Sequence, residues 1–169
     1  MDAVIDLTGK VAIVTGAARG QGAAEVDLFC RLGAKVVATD VLLEELEASV
    51  ADLGESASWR SHDVASPADW DSVVAHAVGL HGRVDVLVNN AGIFKRGEFD
   101  DWDLETQRLL MDVNLYGPLL GMRAVVPVMP VGGSIVNVAS LSGTRGEPSA
   151  VAYAASKWAL RGATRSSAS

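Results

Sequence analysis

Two side chains near the end of the chain have the types and the spacing for proton transfer. Tyr153 and Lys157 lie four residues apart, which places both on one face of a helix. An ammonium beside a phenol favours the phenolate and lowers the pKa of the tyrosine toward neutrality. Such a phenol can exchange a proton with an alcohol or a ketone oxygen. Taken alone, however, the pair is better explained as a surface tyrosine beside a solvated lysine.

A glycine-rich segment, Thr15–Gly22, is the second candidate site. It follows a short apolar run and precedes a helical pattern, so its N–H groups and the helix dipole can approach a pyrophosphate. Its spacing is G-x-x-x-G-x-G rather than the G-x-G-x-x-G usual in dinucleotide folds, and a purely structural turn stays possible. The candidate cofactor-binding positions in this segment are Gly16, Arg19, Gly20, Gln21 and Gly22.

An acidic residue at the right distance strengthens the nucleotide interpretation. Asp40 ends the second predicted strand, 20 positions after Gly20, where a carboxylate accepts hydrogen bonds from the adenosine ribose. A carboxylate also repels a 2′-phosphate, and the next residues, Val41 and Leu42, supply no cation. The pattern therefore favours NAD over NADP.

The elements that must position these residues follow a regular alternation. Short β-branched runs are separated by longer helical patterns, which indicates βαβ units and a parallel sheet. We therefore predict the α/β class, with one doubly wound Rossmann-type domain over residues 1–169. The predicted strands are 11–14, 35–38, 58–61, 84–88 and 134–138. The predicted helices are 20–32, 44–53, 66–80, one from Asp101 or Asp103 to about 126 with a kink one turn before Gly117-Pro118, and 151–163.

Composition excludes several other classes. Twenty-one acidic against fourteen basic residues give a net charge of −7, which argues against nucleic acid or an anionic membrane as a partner. The single cysteine, Cys30, and the acidic segment Met1–Asp6 predict a cytoplasmic protein without a secretion signal. His62 lies at a strand end, and His76 and His81 are five residues apart, so no metal site is expected.

Five segments together resemble the short-chain dehydrogenase/reductase family. They are Thr15–Gly22, Asn89–Gly92, Asn114, Ser140 and Tyr153-x-x-x-Lys157, in the family's order and spacing from Gly9 to about Thr164. The resemblance implies an NAD-dependent oxidoreductase that interconverts a secondary alcohol and a ketone. A Ser140 hydrolase is disfavoured because no glycine-framed elbow surrounds that serine.

The resemblance also implies a role for each residue. Tyr153 would be the general acid/base, Lys157 would bind the nicotinamide ribose and tune Tyr153, and Ser140 would hydrogen-bond the reacting carbonyl. Asn114 would hold a water in a proton relay. The remaining implied cofactor contacts are Asp63 and Val64 beside the adenine, and Asn90, Ala91 and Gly92 in the cleft.

Substrate and assembly are also inferred from the resemblance. The segments 153–158 and 16–20 are most similar to bacterial NAD-linked 3α/20β-hydroxysteroid dehydrogenases, with another secondary alcohol as the alternative substrate. The helices bearing Asn114 and Tyr153 pack against their twofold mates in this family, which implies a homodimer or homotetramer. The apolar residues expected to serve that surface, or else to face the sheet, are Leu109, Leu110, Val125, Trp158 and Leu160.

The sequence departs from the family pattern after the tyrosine helix. Family members usually continue with a sixth strand, a substrate-covering loop and a seventh strand, whereas this sequence finishes in the small polar stretch Arg165–Ser169. We therefore expect those elements to be missing and the fifth strand to form an unprotected, association-prone edge of a marginally stable protein. The alternative function is an inactive nucleotide-binding remnant or interaction partner, which turnover would distinguish from an enzyme.

Overall fold

Five parallel strands form one sheet in the computed structural model, which describes residues 5–100 and 103–168. The strand order is β3-β2-β1-β4-β5, so the chain reverses direction across the sheet between β1 and β4. This confirms the predicted doubly wound α/β fold. The strands are β1 Val11–Thr15, β2 Lys35–Asp40, β3 Ala57–Ser61, β4 Val86–Asn89 and β5 Ser134–Asn137.

Helices cover both faces of the sheet because the buried strands carry apolar residues in both directions. In β1, Ala12 and Val14 belong to one core cluster, whereas Ile13 belongs to the other. Val26 and Leu46 complete the first cluster, and Trp70 packs in the second. The helices are α1 Gly20–Arg31, α2 Leu43–Val50, α3 Pro67–His81, α4 Leu104–Met111, α5 Gly117–Val125 and α6 Val151–Ser167.

Between α4 and α5 the helix changes its hydrogen-bond pattern. Residues Asp112–Tyr116 form a π-helical turn immediately before Gly117 and Pro118. Pro118 has no N–H and its ring crowds the preceding turn, so the irregularity falls one turn upstream. A π-helical turn therefore lies where the sequence predicts a kink.

Polar side chains begin two of the helices. The Ser66 side chain accepts a hydrogen bond from the Asp69 N–H at the start of α3, with Pro67 at the first helical position. Asp103 accepts one from the Thr106 N–H at the start of α4. Of the two residues predicted to open this helix, Asp103 is therefore the cap, and Asp101 lies outside the described residues.

Two helix boundaries differ from the predictions. Helix α2 ends at Val50 and a 3-10 segment, Ala51–Ser56, follows it, because Gly54 adopts a left-handed φ of 54° that an α-helix cannot contain. Helix α6 extends to Ser167 rather than ending near 163. The Ser167 hydroxyl donates to the Ala163 carbonyl, so part of the predicted polar tail is helical.

The helical run Leu104–Val128 is, among the described residues, long and apolar enough to cross a membrane by length and composition. Its packing shows a different role. Helix α4 contacts α6, while α5 contacts α3 and β4, and Leu110 and Val125 are completely buried. The run is a core helix of this domain.

Candidate active site

A cavity of about 480 Å³ opens at the carboxyl ends of β1, β2 and β4, where the strand order reverses. Ligands of open α/β sheets bind at this kind of position. The predicted cofactor-binding residues that line it are Gly16, Arg19, Gln21, Gly22, Asp40, Asp63, Val64, Asn90, Ala91 and Gly92. The other lining residues are Val41, Leu42, His62, Ile93 and Val113.

The glycine-rich turn is held in place from β4. The Asn90 side-chain amide donates to the carbonyls of Thr15 (2.9 Å) and Gly16 (3.1 Å). Gly16 has φ +67°, and a Cβ at Gly22 would lie 2.1 Å from the Gly16 carbonyl oxygen. Both positions therefore require glycine. Gly20 does not line the cavity and a Cβ there would meet open space, but its φ of +58° also favours glycine.

Helix α1 begins at the wall of this cavity without a capping side chain. Its N-cap residue is Arg19, which makes no side-chain cap hydrogen bond. The first N–H groups of a helix have no partner within the helix, and together with the helix dipole they favour a negatively charged group. The start of α1 thus offers donors to a phosphate in the cavity.

The Asp40 carboxylate is fixed at the opposite side of the turn. It accepts hydrogen bonds from the N–H of Ala18 (3.0 Å) and of Leu42 (3.1 Å). Arg19 lines the same cavity, and its guanidinium pairs with Glu45 on α2 at 3.6 Å. The residues that follow Asp40 in the sequence include no cation, and Arg19 reaches the same cavity as Asp40 only in the folded chain.

His62 also lines the cavity, and its burial could not be predicted from the sequence. Its ring is buried, Nδ1 lies 2.9 Å from the Thr39 hydroxyl, and the ring packs edge-on against Trp70. Burial lowers the pKa of His62 to about 4, so the imidazole is neutral at pH 7. It therefore serves as an uncharged part of the cavity wall.

The spacing of Tyr153 and Lys157 does place them together on α6. The Lys157 Nζ lies 5.9 Å from the centre of the Tyr153 ring and donates to the Val138 carbonyl at 2.8 Å. The Lys157 side chain is buried, which lowers its pKa to about 8. The Tyr153 ring meets the Phe94 ring edge-on at a centroid distance of 4.7 Å.

Neither residue lines the cavity, but the Lys157 amine lies next to it. A Cβ placed on Gly92 would be 3.4 Å from the Lys157 Nζ and 3.2 Å from the Asn114 Oδ1. Gly92 is itself a cavity residue. The absence of a side chain at Gly92 therefore leaves the cavity open toward Lys157 and Asn114.

Asn114 connects three segments of the chain. Its Oδ1 accepts from the Ile93 N–H (2.8 Å), and its Nδ2 donates to the Ile93 carbonyl (2.9 Å) and to the Ser156 hydroxyl (3.1 Å). Ser156 in turn donates to the Tyr153 carbonyl at 2.7 Å. Both amide protons of Asn114 are thus used, which leaves its oxygen as the atom that could bind a water. Ser156 lies between Tyr153 and Lys157 in the sequence, but it is not among the predicted site residues.

Ser140 follows β5 and faces another cavity, of about 520 Å³, that includes Ser142 and Glu147. Its hydroxyl accepts from the Ser142 N–H at 3.1 Å. The short helical turn after Ser140 packs on α6, because a Cβ at Gly143 would lie 2.9 Å from the Lys157 carbonyl oxygen. This contact brings the Ser140 segment to the helix that carries Tyr153.

The described residues thus combine an anion-binding turn with a neighbouring set of polar side chains, namely Tyr153 and Lys157 on α6 and Ser140 before the short turn that packs on α6. A phenol, a buried amine and a serine hydroxyl are the groups needed to move a proton and to stabilise charge that develops on an oxygen. The adjoining cavity has the position and lining for a nucleotide.

Known proteins with related sequences and structures have dehydrogenase names. The family model described as short chain dehydrogenase matches residues 10–169. The chain is 46% identical over 164 residues to a 3-alpha-(or 20-beta)-hydroxysteroid dehydrogenase of Mycobacterium tuberculosis. It is 41% identical over 169 residues to a trans-4-hydroxycyclohexanecarboxylate dehydrogenase of Sinomonas cyclohexanicum. A short chain dehydrogenase/reductase from Burkholderia phymatum, solved in complex with NAD, superimposes with a TM-score of 0.91 at 32% identity.

The matches cover nearly all of this chain but only part of each relative. They include 96% of this chain and 63% of the Mycobacterium protein, and 94% and 65% for the Sinomonas protein. For the Burkholderia structure the shares are 95% and 59%. The chain therefore spans somewhat less than two thirds of the length of these relatives.

Proposed function

Because this chain belongs to the short-chain dehydrogenase family, we propose that it interconverts a secondary alcohol and a ketone with NAD as cofactor. One observation carries the proposal. Gly92 lines the nucleotide cavity and also lies against Lys157 and Asn114. A nicotinamide at this end of the cavity would therefore lie next to the proton-transfer residues.

The cavity suits a dinucleotide in its shape and in its chemistry. The uncapped start of α1 supplies N–H donors for the pyrophosphate. Asp40 would accept hydrogen bonds from the adenosine ribose, with Asp63 and Val64 beside the adenine. The buried Lys157 would hold the nicotinamide ribose, since its ammonium has one protein acceptor, Val138 O, among the described residues.

When bound, NAD accepts a hydride from the carbon of the alcohol. In that direction Tyr153 would take the hydroxyl proton of the substrate, and in the reverse direction it would return a proton to the ketone oxygen. Lys157 contributes a positive charge 5.9 Å from the centre of the Tyr153 ring. Ser140 would hold the same oxygen, and Asn114 would bind a water through its remaining acceptor capacity.

We propose NAD rather than NADP because of Asp40. Its carboxylate is held by two backbone N–H groups, so it cannot easily turn away from a 2′-phosphate. Arg19 is the nearby cation, but it is paired with Glu45 and is thus partly neutralised. The Burkholderia protein was solved in complex with NAD, which supports the choice of NAD for this chain.

A ring alcohol is the proposed substrate class. Two of the curated relatives are named for a hydroxysteroid and for a hydroxycyclohexanecarboxylate, which are ring compounds that carry a secondary alcohol on a ring or, at steroid position 20, on the side chain. Two others are named for the open-chain polyols galactitol and sorbitol. The sequence resemblance allowed a sterol or another secondary alcohol, and an open-chain secondary alcohol is the alternative to this proposal.

Assembly and location are proposals as well. Of the five apolar residues expected to serve an interface, three are buried in the chain's own core: Leu110, Val125 and Leu160. Leu109 and Trp158 remain about half exposed, on α4 and α6, and they support the expected homodimer or homotetramer. The cytoplasmic location stays a prediction.

An NADH-formation assay tests the function. Purified protein should reduce NAD in the presence of cyclohexanol or a 3α-hydroxysteroid, and NADP should be a poorer acceptor. Binding of NAD by calorimetry without any turnover across such a panel would instead favour the nucleotide-binding remnant.

A further inference from the structure

One carboxylate lies where the loop after β4 meets the loop after β5. The Oε1 of Glu147 accepts from Arg96 at 2.9 Å, and its Oε2 accepts a hydrogen bond from the Ser142 hydroxyl. These hydrogen bonds from Ser142 and Arg96 lower the pKa of Glu147, so the group is a carboxylate at neutral pH. Each of its two oxygens therefore already has a partner within the chain.

Arg145 is the cation of the cavity that contains Ser140. Both residues line this space of about 520 Å³, and the Arg145 N–H donates to the Leu141 carbonyl at 3.2 Å in the turn that follows Ser140. The residue is exposed, and its guanidinium makes no ion pair or hydrogen bond with residues 5–100 or 103–168. Its charge acts on Glu147 only from a longer distance, where it also lowers the pKa of that carboxyl group.

These contacts leave the cavity with an unbalanced positive charge. Arg145 and Glu147 are the charged residues in its described lining, and Glu147 is already neutralised by Arg96. A guanidinium presents its N–H donors in a planar fork that matches the two oxygens of a carboxylate. One unpaired cation balances one monoanion, whereas a phosphate dianion would need a second cation. The free charge of Arg145 therefore suits a carboxylate.

The position of Arg145 relates this charge to the proposed reaction. Ser140 would hold the reacting oxygen, and Arg145 lies on the wall of the same cavity, so one small molecule could contact both. We propose that Arg145 binds a carboxylate carried by the substrate, and that the substrate is therefore a ring alcohol with an acidic substituent. This inference rests on the proposed function, because it names the substrate class of the same site.

Two unreactive ligands test the cation without turnover. Cyclohexanecarboxylate and cyclohexanecarboxamide have the same ring and nearly the same shape, but only the first is charged, and neither has a hydroxyl to oxidise. NMR titration of the NAD-saturated protein gives both dissociation constants, and bound NAD keeps the carboxylate away from the start of α1. We expect the carboxylate to bind more tightly and to shift the N–H signals of Arg145 and Gly146.

Substitution of the arginine should remove this preference. We expect Arg145→Gln to lower the affinity ratio of carboxylate to carboxamide by ~5-fold or more, because a charge-assisted hydrogen bond is lost, and to leave the affinity for the carboxamide unchanged. Arg145→Lys keeps the charge without the planar fork and should retain part of the preference. The matched control is Arg60→Gln, which removes an exposed arginine from β3 at the opposite edge of the sheet from β5, where its charge is screened.

Three results would overturn the inference. They are equal affinity of the wild type for the two ligands, an unchanged ratio in Arg145→Gln, and an equal loss in Arg60→Gln. Melting temperatures show whether each variant is folded. If Arg145→Gln is not, the wild-type titration decides, and shifts confined to signals outside residues 140–148 count against the inference.

A separate activity assay distinguishes the inference from the proposed function. With NAD, the wild type should oxidise trans-4-hydroxycyclohexanecarboxylate with a lower KM than the corresponding carboxamide, and Arg145→Gln should raise only the KM for the carboxylate. Oxidation of both alcohols with equal KM would contradict the inference and leave the proposed function intact. If the binding preference is found but no alcohol is oxidised, the carboxylate site stands and the proposed function is wrong.

Discussion

The amine of Lys157 lies 5.9 Å from the centre of the Tyr153 ring, and the same amine donates to the backbone carbonyl of Val138 at the end of the sheet. One buried cation thus lies between the tyrosine of α6 and the strand that leads to Ser140. The surroundings of Tyr153 therefore depend on how α6 docks against the segment that follows β5.

Replacing the tyrosine should remove the proposed proton transfer. We expect Tyr153→Phe to lower kcat for alcohol oxidation by at least ~100-fold, while the dissociation constant for NAD stays nearly unchanged, because the ring and its contact with Phe94 remain. Steady-state kinetics and calorimetry measure the two effects. Tyr116→Phe, at the only other tyrosine of the chain, is the control. Full activity in Tyr153→Phe would exclude the mechanism.

The carboxylate of Asp40 should determine the choice of cofactor. Asp40→Asn removes the charge and keeps an oxygen for the N–H groups of Ala18 or Leu42. We expect the preference for NAD over NADP to shrink by ~10-fold, since the repulsion of the 2′-phosphate is lost. Calorimetric titration with both nucleotides measures the ratio of their dissociation constants. As a control, Glu44→Gln removes an equal charge outside the cavity and should leave the preference for NAD unchanged. Tighter binding of NADP than of NAD by the wild type would contradict the role proposed for Asp40.

The buried amine of Lys157 should leave a signature in the pH dependence of stability. Its pKa is about 8 in the folded protein and about 10.4 in an unfolded chain. Between these values the unfolded chain binds more protons than the folded one, so this group makes the free energy of unfolding rise with pH. Below about pH 8 both states hold the proton and the contribution is constant.

Urea unfolding at intervals from pH 7 to 10 tests this expectation. The rise attributable to Lys157 should be absent in Lys157→Met, which keeps an unbranched side chain of similar length. Lys95→Met changes an exposed lysine and should behave like the wild type. An identical slope in the wild type and in Lys157→Met would show that the amine is not desolvated as described.

The exposed apolar residues of α4 and α6 should mediate self-association. We expect light scattering at micromolar concentration to give at least twice the mass of one chain. Trp158→Glu should shift the protein toward the monomer, because it places a charge on a half-exposed aromatic surface. Leu80→Glu alters an equally exposed leucine on α3 and should have no effect. A monomeric wild type would be evidence against the interface.

Much of this fold follows from the order of residues along the chain. Apolar runs such as Val11–Val14 and Lys35–Ala38 predict buried parallel strands, because both faces of such strands are covered. Ser66-Pro67 marks a helix start, and the α-helical period brings Tyr153 and Lys157 to one face. These signals are local, so they can be read without knowing which distant segments meet.

The remaining features depend on contacts between distant segments. Arg19 at the start of α1 pairs with Glu45 on α2, and Glu147 in the segment after β5 accepts a hydrogen bond from Arg96 in the loop after β4. The chemistry of each group is visible in the sequence, but its hydrogen-bond direction and charge depend on which partners it meets and how far water is excluded. Burial, which lowers the pKa of Lys157 and of His62, is a property of the packed chain, and only the tertiary structure specifies it.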